Sequence, residues 1–300
     1  MNISWPVENL DHKQLIAIPL IVGAIFGTVI ALHWYNERSP VPLGLEFSSG
    51  SYIRIQNVEI PSETTLEKFK SAFENQFESS AKIHTYKNEG SITIETSANL
   101  LEVQAKENIK TLLSETQITG TPQISIETMG SIITQKYKDQ ARNAAIATII
   151  AMTIILFIAL RDFPAIGGIL SVIGLDFLGI LGGMAILGIP LTLSSMAGIL
   201  LIFGYAVNTN ILLSTNILRR KGGTPRERAS RAMNTGIKMS STSAVAMIAL
   251  NLMTNAPELK QISAILVIGI LVDMLNTWLL NSGLLLRHKV GTEEKYHARI

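Results

Sequence analysis

The sequence predicts a polytopic α-helical membrane protein with six transmembrane helices and an α+β extracytoplasmic domain inserted between helices 1 and 2. Three observations carry this reading. Of 300 residues, 47% are hydrophobic and 16% charged, and the apolar ones fall in long runs instead of being spread as a soluble core would spread them. A bilayer core of about 30 Å needs about 20 apolar helical residues, and six runs approach or exceed that length. They cover 14–34, 143–160, 164–187, 191–218, 237–254 and 262–286. Finally, residues 35–140 between the first two runs have ordinary polar composition, with 14 acidic and 10 basic side chains.

The N-terminal segment 1–13 opens "MNISWPVENLDHKQL" and lacks a basic n-region and a small-residue cleavage site, so the run at 14–34 reads as an uncleaved signal-anchor. The extracytoplasmic domain, 35–140, then alternates short elements. In "GLEFSSGSYIRIQNV", Ile53 and Ile55 share one face of a half-buried strand. "SETTLEKFKSAFENQF" opens on Ser62 and Glu63 and sets Leu66, Phe69, Phe73 and Phe77 along one helical face. "AKIHTYK" and "SITIETS" are two alternating runs joined around Asn88, Glu89 and Gly90, which suit a hairpin turn. A second amphipathic helix covers 99–115, and "PQISIET" supplies a last strand. Strand, helix, strand, strand, helix, strand is the split βαβ order of ferredoxin-like domains.

The membrane domain, 141–290, carries the remaining five runs, followed by a tail at 291–300. The fourth span is the longest and must tilt or protrude into the cytoplasm. Orientation follows from lysine and arginine in short loops. Arg219, Arg220, Lys221, Arg226, Arg228, Arg231 and Lys238 stand against the single Glu227, which makes that loop cytoplasmic. Alternation places Arg161, Arg287, Lys289 and both termini on the same side, with the inserted domain outside. Topology thus accounts for the basic loop, and no nucleic-acid partner is implied.

Asp176 and Asp273 are the only acids deep inside a predicted span. A carboxylate there costs about 2.5–3.5 kcal/mol, so both are expected to face the bundle interior, as candidate proton-responsive groups. Asp176 shares a face with Gly179 and Gly183, a GxxxG pair that lets another helix approach. Asp273 shares one with Gly269, Asn276, Thr277 and Asn281. In the fourth span, Gly204, Asn208 and Thr215 define one face, with Asn210 and Ser214 as an i, i+4 pair beside it. Ser240, Ser243, Asn251 and Thr254 continue the polar theme in the fifth span. These amides and hydroxyls are read as lining the bundle, where each can bond a neighbouring helix for about 0.6 kcal/mol.

An enzyme is not predicted. The histidines His12, His33, His84, His288 and His297 never reach metal-ligand spacing, and there is no cysteine. "KGGTPRERA" lacks the GxxxxGK[ST] phosphate-binding pattern, and no nucleophile with a base can be assembled. No cofactor or metal is expected.

Four stretches carry a resemblance to the SecF branch of the SecD/SecF protein-export family. They are "GLEFSSGS" at the start of the outside domain, "GYAVNTNILLSTNILRR" in the fourth span, "SRAMNTGIKMSSTSA" entering the fifth, and "GILVDMLNTWLLNSGLL" in the last, which is similar to archaeal members. With the spacing of the spans, they cover nearly the whole chain. The sequence departs from the family pattern in two places. Asn208, Thr209, Asn210 and Thr215 stand where relatives often carry a fourth-span carboxylate, and Ser49 replaces the first glycine of a pair. Asp176 matches the family's third-span aspartate.

The resemblance implies half of a resistance-nodulation-division type bundle in the cell membrane, acting as an auxiliary subunit of the Sec translocase. The partners it implies are a SecD-like subunit, the Sec translocation channel, the exported polypeptide and membrane lipid, with the proton gradient as energy source. The rival readings are a small-molecule or lipid transporter subunit of the same architecture, and an assembly scaffold that moves nothing.

Overall fold

The structure is a computed structural model and describes residues 6–86, 90–100 and 102–297. In chain order it runs α1 (Pro6–Asn9), α2 (His12–Glu37), α3 (Leu45–Ser48), β1 (Gly50–Val58), α4 (Glu63–Phe77), β2 (Ala81–Tyr86), β3 (Ser91–Thr96), α5 (Glu102–Glu115) and β4 (Gly120–Met129). Then come α6 (Ser131–Leu160), α7 (Phe163–Leu187), α8 (Leu193–Arg219), α9 (Pro225–Met253), α10 (Pro257–Leu275), a π-helical segment (Asn276–Asn281) and α11 (Ser282–His297). The chain divides into two compact units, Leu43–Ala141 on one side and Met1–Pro42 with Arg142–Ile300 on the other.

In the first unit, four strands form an antiparallel sheet in the order β2-β3-β1-β4. The alternation of β1 decides its register. Ile53 stands opposite Ile94 and Ile126, and Ile55 opposite Ile92 and Ile124, so isoleucines form cross-strand rows on one face. Phe69 and Phe73 of α4 are buried in the same core, with Leu66 and Phe77 partly buried beside them, and α5 adds Ile109, Leu112 and Leu113. Where β1 and β4 shift register between Gln56 and Val58, Asn57 adopts φ 60. Opposite it Gly120 has φ 142, and any side chain there would run into the Asn57 carbonyl. Of the expected hairpin turn, Asn88 and Glu89 lie outside the described residues, as does the side chain of His84.

The second unit is helical. Five helical stretches are long and apolar enough to cross a membrane: His12–Glu37, Ser131–Leu160, Phe163–Leu187, Leu193–Arg219 and Pro257–Lys289. The expected fifth span, 237–254, lies in α9, which is 29 residues long but is not one of those five. Its first half carries Arg226, Glu227, Arg228 and Arg231, and its second half is broken by serines and threonines. The last span is not one continuous α-helix, because the π segment interrupts it.

Loop residues fix where the helices start. Asp162 accepts from the Ala165 amide before α7, Thr192 and Ser195 form a capping box on α8, and Thr224 and Glu227 form another on α9. Gly188 closes α7 at φ 65. The N-terminal α1 is held against α9: Arg226 donates to the carbonyls of Val7 at 3.1 Å and Leu10 at 2.8 Å, and the Ser230 hydroxyl bonds Glu8 at 2.5 Å.

A buried carboxylate cluster between the helices

Small residues let α7 and α10 approach. A Cβ on Gly179 would come within 2.6 Å of Val272, and one on Gly183 within 2.7 Å of Ile268. This proximity brings Asp176 of α7 and Asp273 of α10 into one interior region, each almost fully buried, at 1% and 0% exposure. Neither has a basic side chain within ion-pair distance among the described residues.

Amides and hydroxyls surround them instead. Asn276 donates to Asp176 Oδ1 at 2.7 Å, whereas Asp176 Oδ2 has no partner. On Asp273, Oδ1 accepts from the Thr277 hydroxyl at 2.7 Å, one helical turn onward, and Oδ2 accepts from Thr209 at 3.0 Å. Thr277 is held in turn by Asn210, whose Nδ2 reaches Thr277 Oγ1 at 2.9 Å and the Ala206 carbonyl at 2.8 Å. Asn281 closes the row by donating to Asn210 Oδ1 at 2.6 Å. The π segment supplies Asn276, Thr277 and Asn281 from six consecutive residues. Interruptions of this type are frequent at functional sites.

The structure therefore unites Asp176, Asp273, Asn210, Asn276 and Thr277, and it corrects three placements. Asn208 and Gly204 lie on the exposed face of α8, and a Cβ on Gly204 would meet nothing within 4 Å. Thr215 is half-buried and spends its hydroxyl on the Ile211 and Leu212 carbonyls of its own helix, at 2.7 and 3.1 Å. The physical reason is that the inward face of α8 is set by Ile202, Ala206, Leu213 and Ile217, which travel with Thr209 and Asn210 and not with Asn208. In α9, Ser240 accepts from Tyr205 at 3.0 Å and Asn251 bonds Ser263 at 2.9 Å, while Thr254 caps the helix end.

Thr209, named in the sequence only as one of the residues standing where relatives often carry a carboxylate, joins the site by bonding Asp273. Its signal was available, since it stands three residues after the small Ala206, on the apolar face. No group of three or more His, Cys, Asp or Glu suited to a metal occurs among the described residues.

A helical bundle with candidate spans, a polar interior with two carboxylates and a small mixed domain inserted after the first span define a multi-pass membrane protein. Residues 108–290 match the family model described as protein export membrane protein SecD/SecF, C-terminal, and the chain belongs to that family. Among curated proteins, it is 32% identical to the protein-export membrane protein SecF of Methanothermobacter thermautotrophicus, over 92% of each chain. The SecF of Haloferax volcanii is 30% identical, over 96% of this chain and 98% of the relative. Among solved structures, it resembles SecDF of Thermus thermophilus, described as a translocon-associated membrane protein, with TM-score 0.72 and 18% identity. That likeness bears on the fold; it covers 96% of this chain but only 40% of the SecDF chain.

Proposed function

We propose that this chain is an auxiliary subunit of the protein-export translocase, working beside a SecD-like subunit and drawing on the proton gradient. The observation that carries the energy-coupling part is the pair Asp176 and Asp273, buried without a basic partner among the described residues and bonded by neutral amides and hydroxyls. A carboxyl group is the one side chain in this cluster that can trade a proton for a charge, turning an acceptor into a donor. One charge moved through 100 mV is worth about 2.3 kcal/mol, enough to bias a two-state movement severalfold or more.

In this reading α9 contributes the fifth span in chain order and brings the total to six, and the inserted domain is ferredoxin-like and extracytoplasmic. Its element order and the sheet order β2-β3-β1-β4 support the ferredoxin-like assignment. The basic residues from the end of α8 to the first half of α9 support a cytoplasmic location for that end of the two helices and for both termini, in the cell membrane. The partner argument rests on the outer face of α8. Leu201 is 58% exposed and leads to Gly204 and Asn208, an open notch beside an amide that lipid could not satisfy. A second helix packed there covers the amide and uses the notch.

The experiment is gradient-stimulated export in vesicles carrying Asp176→Asn, Asp273→Asn or both. Each substitution keeps the shape and removes the titration. Export is expected to lose its dependence on the gradient in the double variant while a SecD-like subunit still co-purifies. Full stimulation in the double variant would leave the bundle as a scaffold.

A further inference from the structure

The two aspartates are not equivalent, and their hydrogen bonds say which one can exchange a proton cheaply. We propose that Asp273 is the exchanging carboxyl and that the Thr209 hydroxyl is its rotor, a positioning group that serves both protonation states without moving a heavy atom. This rests on the proton-coupling reading above and assigns it to one side chain.

Thr209 Oγ1 lies between two acceptors, Asp273 Oδ2 at 3.0 Å and the Ala206 carbonyl at 2.9 Å. A hydroxyl has one hydrogen and can accept as well as donate. With Asp273 ionised, that hydrogen points at Oδ2, and the Ala206 carbonyl keeps the Asn210 amide at 2.8 Å. With Asp273 protonated on Oδ2, the acid O–H donates to Thr209 Oγ1 and the Thr209 hydrogen swings to Ala206. The incoming proton stays on the carboxyl, and every other group keeps its own hydrogens. Both states are fully bonded.

The other oxygen cannot take this role. Thr277 Oγ1 already accepts from Asn210, and its hydrogen has Asp273 Oδ1 as its acceptor, so Thr277 is fixed as a donor. Asp176 shows no such rotor among the described residues: Oδ1 holds the Asn276 amide, and buried Oδ2 accepts from no hydroxyl. The other carboxyl of this interior region is Asp176 on α7, while α8 and the π segment turn hydroxyls and amides toward Asp273.

The test is pH-difference infrared spectroscopy of the full chain in lipid vesicles, following the carbonyl band of a protonated aspartic acid. The band is expected in the native chain and in Asp176→Asn, and lost in Asp273→Asn. It is expected to be displaced in Thr209→Val, which keeps shape and removes the hydroxyl, and returned to its native position in Thr209→Ser. A band that vanishes in Asp176→Asn and survives in Asp273→Asn overturns the assignment. An undisplaced band in Thr209→Val overturns the rotor while the proton-coupling reading stands. No pH-dependent carboxyl band at all overturns that reading, and the rotor with it.

Discussion

Asn208 and Asn210 are two residues apart, chemically identical, and placed in opposite surroundings. Asn210 uses both ends of its amide, so Asn210→Ala strands the Asn281 amide and takes a donor from Thr277, each of them buried. A buried group left unsatisfied costs about 1–3 kcal/mol. Asn208→Ala is expected to fall within about 0.5 kcal/mol for the chain alone, as exposed substitutions do. Unfolding in detergent with increasing denaturant would separate the two, and equal losses would contradict the placement of α8. The sequence could not choose between these asparagines because apolar side chains do not distinguish lipid from protein interior. Both faces of α8 mix apolar and polar residues, and only the neighbour packed at Ile202, Ala206, Leu213 and Ile217 settles the matter. The aspartates were legible because a charge in lipid has few tolerable positions.

At the scale of elements, the soluble strands and helices were readable from alternation and from the Leu66, Phe69, Phe73, Phe77 spacing, since water enforces a sharp inside and outside there. The π segment was not readable. Its side chains follow the same inward pattern that an α-helix would give, and the difference lies in backbone register. The glycines of α7 and α8 make a matched comparison. Gly179→Val and Gly183→Val drive a branched side chain into Val272 or Ile268, and overpacking of this kind costs about 1–3 kcal/mol. An added Cβ at Gly204 meets nothing within 4 Å in this chain, so the stability of Gly204→Val should hold. Recovery of the SecD-like subunit on purification should fall instead. If all three valines destabilised the isolated chain alike, the α8 face would not be a notch for a partner.

For the whole molecule, the orientation proposed from the basic loop is open to chemical labelling. Thr224 is a poor site for a probe because its hydroxyl caps α9, whereas Lys221 and Lys70 are exposed and make no cap. With an impermeant thiol reagent on intact cells, Lys70→Cys is expected to label and Lys221→Cys to stay silent until the membrane is opened. Outside labelling of Lys221→Cys would reverse the topology.

The clasp between α1 and α9 has a further consequence, one of timing. Arg226 follows Leu10 by 216 residues, and it is the side chain that satisfies the carbonyls of Val7 and Leu10. At about 5–20 residues per second, synthesis of that interval takes about 10–40 s. Through that interval the first segment cannot hold its final place, whatever its own helical preference. It docks only after three of the apolar helices that follow the inserted domain have been made. A segment made 216 residues ahead of its partner thus settles late, and its docking marks the arrival of α9.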